Sequence, residues 1–161
     1  MSKKNSINDL KTNKKFDQLI ILTKNRIPYH AAIFLYDKGI FDLSLLGSKI
    51  TEKIKDYNFF KCKCDFYKIE PKRRNKLIIF LKKPVLLSSK IIKNKKFSIS
   101  WFLKAESANY ILKFRKIRSK KINDMNCIEW IINGLEIGGF KIPNNVLTAD
   151  KLKVWANLKL K

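Results

Sequence analysis

Histidine is nearly absent from this chain: His30 is the only one in 161 residues. A single imidazole excludes a histidine metal cluster. Three cysteines, Cys62, Cys64 and Cys127, are an odd number and supply no disulfide framework. With no second cysteine pair, a tetrahedral zinc site cannot be completed, and no zinc-finger spacing occurs. The sequence points to no metal and no cofactor. No apolar run approaches the roughly 18 residues of a membrane span. The stretch Met1 to Asp9 lacks the apolar core of a secretion signal. The expectation is a soluble, cytoplasmic protein in a reducing compartment. Glycine and proline are scarce, at 5 and 4 residues, and no internal repeat or linker is visible.

Acidic residues are scarce too. Thirteen of them face 36 basic ones, for a net charge of +23. Arginine contributes only Arg26, Arg73, Arg74, Arg115 and Arg118, and lysine supplies the rest. Together with abundant Ile and Asn, that skew resembles the output of AT-rich codons. Two readings stand: a solvated, lysine-coated surface, or attraction to a polyanion such as nucleic acid, an acidic wall polymer or a membrane surface. Denser runs lie at Lys72-Arg73-Arg74, Lys93 to Lys96 and Arg115 to Lys121. None has the mixed basic and aromatic pattern of a known RNA-binding motif.

Hydrophobic residues make up 45%, enough for a packed core, and the length suits one domain. Residues 1–15 read as a polar basic arm and 16–161 as a single domain of catalytic type. Phe16 to Leu22 is a buried segment that periodicity cannot assign to helix or strand. Asn25 to Pro28 reads as a turn. Tyr29 to Tyr36, a tight turn at Asp37-Lys38-Gly39 and Ile40 to Leu46 form the clearest hairpin, with residues 34 and 42 expected opposite each other. Residues 50–57 read as a short helix, 59–69 as a strand and Glu70 to Lys76 as a charged loop. Leu77 to Leu81 is a compact apolar stretch. Phe97 to Leu103 reads as a strand, and Asn109 to Ile117 as helix or strand. Thr148 is placed to cap a last helix running through Trp155. Strands in the middle with helices near both ends predict an α+β domain, a small antiparallel sheet packed with helices.

The stretch that carries chemistry is Asn126-Cys127-Ile128-Glu129-Trp130. Asn126 is a good N-cap, and Cys127, Ile131 and Leu135 recur on one helical face up to Gly138-Gly139. A thiol in the first turn meets free N–H groups and the positive end of the helix dipole, which favour the thiolate. A nucleophilic cysteine needs a base, and His30 is the only imidazole. Asp42 shares strand parity with His30 on the partner strand of the hairpin and can orient the ring. Each residue also has a structural reading: Cys127 as core packing, His30 as a strand-end residue and Asp42 as a solvent-facing one. Glu129 reads as structural.

The order of histidine on a strand, polar residue on the next strand and cysteine at a later helix start resembles the circularly permuted papain-fold cysteine hydrolases. These include permuted NlpC-like amidases and lecithin:retinol acyltransferase-like enzymes. His30-Ala31-Ala32-Ile33-Phe34-Leu35-Tyr36-Asp37-Lys38-Gly39 looks like the family's hairpin, and Asn126-Cys127-Ile128-Glu129-Trp130 like its nucleophile helix. The likeness covers roughly residues 28–46 and 125–140. It departs at Tyr29, where Gly or Thr is common, at Ala31-Ala32 in place of Val-Gly, and at Ala149 in place of Pro. The resemblance implies a permuted papain-like fold and acyl transfer through a thioester. Cys127 would be the nucleophile, with its own N–H at the oxyanion, His30 the base and Asp42 the orienting acid. It implies a peptide, amide or lipid-ester substrate. The competing expectations are a basic nucleic-acid- or ribosome-binding protein without catalysis, and an idle papain-like structural protein.

Overall fold

The computed structural model describes residues 15–44, 47–51, 62–84 and 126–160. Five strands, β1 (Asp17–Lys24), β2 (Ile27–Leu35), β3 (Gly39–Ser44), β4 (Gly47–Thr51) and β5 (Lys63–Ile69), form one antiparallel sheet in the order β4-β3-β2-β1-β5. Three helices are described: α1 (Arg74–Lys82), α2 (Cys127–Ile137) and α3 (Ala149–Lys159). The α+β class expected from the sequence is what is observed.

The segment that periodicity left open is the strand β1. It is buried along nearly its whole length because both faces are covered. Leu19 and Ile21 join the core beneath the helices, while Ile20 and Leu22 join a second cluster with Ala32, Phe34, Ile40 and Cys64. A strand buried on both faces reads as a continuous apolar run and loses its alternation. The helix-side core is built on α2, whose Ile128, Trp130, Ile131, Ile132 and Leu135 are all buried. A helix apolar on nearly every side belongs in the interior. Where α1 crosses it, Gly134 leaves room: a Cβ there would stand 3.3 Å from both Leu77 and Phe80.

Several sequence expectations are corrected. Only Asn25-Arg26 forms the first turn, and Ile27 and Pro28 already belong to β2. Both turn residues have positive φ, 49° and 68°, which is the twist a two-residue hairpin needs. Phe34 faces Ile40, not Asp42, so the second hairpin closes two residues tighter than expected. Residues 50–51 end strand β4 and are not helical, because they pair with β3. Arg74 to Lys76 open α1 and are not loop. Thr148 occupies the N-cap position of α3, but its side chain makes no capping bond. That helix runs past Trp155 to Lys159. The arm at 1–14, the remainder of 52–57 and the elements expected at 97–103 and 109–117 lie outside the described residues.

Arg74 ties three parts of the fold together. Its guanidinium donates to Asp17 at 2.6 and 3.0 Å, donates to Asp37 in the hairpin turn, and lies 4.9 Å over the Tyr36 ring. Asp17 is buried, so removing Arg74 would strand a carboxylate inside the protein. Arg74→Ala is expected to lose about 2–3 kcal/mol of stability, read from the denaturant midpoint. Arg74→Lys should recover only part of it, since an ammonium cannot span both carboxylates in one plane.

Candidate active site

The start of α2 is fixed by a complete capping box. Asn126 Oδ1 accepts from the N–H groups of Ile128 and Glu129, each at 2.9 Å, and Glu129 Oε2 accepts from the Asn126 N–H at 3.1 Å. Three of the four N–H groups at this end are thereby satisfied. The fourth is that of Cys127, which donates to no described residue. Glu129 is almost fully buried, and its carboxylate is committed to the box. The sequence reading of this residue as structural agrees with that geometry, and the spacing of Asn126 and Glu129 was the legible signal. The helix ends at Gly138, followed by Gly139 at φ 103°, a conformation that side chains resist.

His30 stands beside an irregularity in β2. β1 pairs Leu22 with His30 and Thr23 with Pro28, so Tyr29 is the extra residue of a β-bulge. A bulge breaks alternation, and here Tyr29 packs on the second cluster while His30 keeps its place opposite Leu22. The imidazole then meets two partners. Its Nε2 lies 2.5 Å from Asp42 Oδ1 on β3, and the ring faces the Cys127 sulfur at the helix start closely enough for the two to interact. The tighter hairpin register helps, because it sets Asp42 diagonally across from His30 rather than further along the strand.

A carboxylate only accepts, so Nε2 must carry the proton toward Asp42. Nδ1 is left for the sulfur. Burial by itself would lower the imidazole's pKa. The Cys127 sulfur and the Asp42 carboxylate, each through charge and a hydrogen bond, outweigh it and raise the pKa well above the ordinary 6.5. The three residues singled out in the sequence therefore sit together: Cys127 half-buried, His30 between, Asp42 behind.

The other two cysteines lie apart, on the second face of the sheet. Cys64 is buried there, with its thiol pushed up to about 12 by burial, and Cys62 is half-buried against the same cluster. Among the described residues no three His, Cys, Asp or Glu side chains gather as a metal site would require. No helix among them is long and apolar enough to cross a membrane. Tyr29 entered the sequence reading only as a strand residue and a departure from the family's pattern. Its ring lies against that of His30, with centroids 6.1 Å apart and planes 30° apart.

Comparison with protein-family models, with curated proteins and with solved structures finds no match to this chain.

Because His30 is the only histidine, its ring protons can be followed directly by NMR. The titration midpoint should lie above 6.5, and Asp42→Asn should lower it. A raised pKa stabilises the fold fully below the free-imidazole value and loses that contribution as pH climbs through the folded value. The stability gap between wild type and Asp42→Asn is therefore expected to shrink over that climb, read by denaturation at a series of pH values.

Proposed function

We propose that this chain is a cysteine-dependent hydrolase or acyltransferase that cleaves an amide, peptide or ester bond through a thioester. The observation that carries the reading is a single imidazole held between a carboxylate and a thiol at a capped helix start. In the reaction, the thiol proton of Cys127 rests on His30 Nδ1, and the Cys127 thiolate Sγ attacks the substrate carbonyl carbon. Asp42 holds the ring and offsets the positive charge that develops on it. The oxyanion forms beside the Cys127 N–H, the one donor of the helix start left over by the capping box. Collapse expels the amine or alcohol, which leaves with the proton from His30. Water or an acceptor amine then attacks the thioester, His30 takes its proton, and the thiol is restored.

The resemblance to permuted papain-fold enzymes supports the same roles, with a wall peptide, another amide or a lipid ester as substrate. The net charge of +23 favours a second reading, a basic protein that binds nucleic acid or the ribosome without catalysis. In that case binding should weaken steeply with salt and be indifferent to His30→Ala.

The test is alkylation of each cysteine as a function of pH, read by peptide mass. Cys127 should be alkylated faster than Cys62 and Cys64 on the acid side of neutrality, because His30 can hold its proton. His30→Ala should abolish that advantage, while buried Cys64 stays inert in both proteins. Ordinary or absent reactivity of Cys127 in both proteins sinks the proposal. On any substrate found, Cys127→Ser is expected to abolish turnover and leave the thermal midpoint nearly unchanged.

A further inference from the structure

We infer that Tyr29 is a positioning residue for His30, a phenol ring anchored at its far end and laid against the imidazole to hold it in line with Cys127. The inference rests on the Cys127–His30 reading above. It begins with the bulge. Tyr29 is the unpaired residue of β2, and its ring packs on the second cluster while Ala31, two residues on, packs under the helices. Freed from the ladder's alternation, the ring lies along that of its neighbour, 6.1 Å between centroids and 30° between planes. Its far end is tied down: the phenol oxygen lies 3.1 Å from Cys62 Sγ, beside the start of β5.

This contact does two things for the imidazole. It restricts rotation of the ring, which otherwise has, among the described residues, Asp42 and the sulfur to fix its plane. It also presents an aromatic face to the ring when it is protonated, and an aromatic face attracts a cation. Among the described residues, the groups that face His30 are Asp42 from β3, Cys127 from α2 and Tyr29 from β2 itself, with Cys62 and Cys64 beyond the phenol. Burial and the neighbouring Cys62 keep the phenol protonated, so it adds no charge to the site. Cys62 thereby acquires a part in the site without entering it.

The experiment compares the pH profile of Cys127 alkylation in wild type, Tyr29→Leu and Tyr29→Phe. Leucine fills space but offers no flat face, and its profile should move toward that of an ordinary thiol. Slowing at pH 6 should be about tenfold, the scale of one pKa unit. Phenylalanine keeps the face and should restore most of the rate. A wild-type profile in a folded Tyr29→Leu protein overturns the inference, and so does a Tyr29→Phe protein as slow as the leucine variant. Should the leucine variant not fold, wild type alone decides. The His30 ring protons, unique in the spectrum, should show the upfield shift of a ring stacked on an aromatic face, and its absence overturns the assignment. An ordinary profile in wild type removes the Cys–His pair and this inference together. A low-pH profile that Tyr29→Leu leaves unaltered removes this inference alone.

Discussion

The site depends first on where α2 begins. A slide of this helix by one residue would swing the sulfur by about 100° around the axis. The exchange between Asn126 and Glu129 forbids the slide, because only one residue can supply the cap oxygen while the residue three on returns its carboxylate. Burial of Glu129 makes the arrangement strict: a carboxylate under the core without its N–H partner would be costly. The cap decides both the direction of the thiol and which N–H of the helix start is left without a partner among the described residues.

The second half of the site stands beside a defect. The bulge at Tyr29 directly precedes the residue whose imidazole meets Asp42 and Cys127. The same extra residue lays an aromatic ring along the imidazole. Sheet irregularity and side-chain placement thus have one cause here.

The site was more legible in the sequence than the fold around it, for physical reasons. Asn126, the glycines after Ile137 and the apolar run between them are local signals, and α2 has the bounds they imply. A lone histidine leaves no choice of imidazole to set beside the thiol. Strand parity survived the error in register, since a shift of two residues keeps His30 and Asp42 on the same face. What failed was whatever depends on distant partners. β4 is short and polar and exists because β3 offers it a ladder. α1 begins inside a charged stretch because Arg74 finds Asp17 and Asp37 from other elements. Tyr29 carries no pattern of its own, because a bulge is set by the pairing of two strands and not by the identity of one residue.

The two halves of the site differ in how far the chain must travel to assemble them. His30 and Asp42 are twelve residues apart on one hairpin, so little chain entropy opposes their meeting. The sulfur comes from a helix near the other end of the sequence and reaches the ring only when α2 has docked on the sheet. A chain with the hairpin formed and the helix undocked carries a paired imidazole and an ordinary thiol. The meeting of Cys127 with His30 therefore belongs to the completed fold, and it marks the molecules that have finished folding.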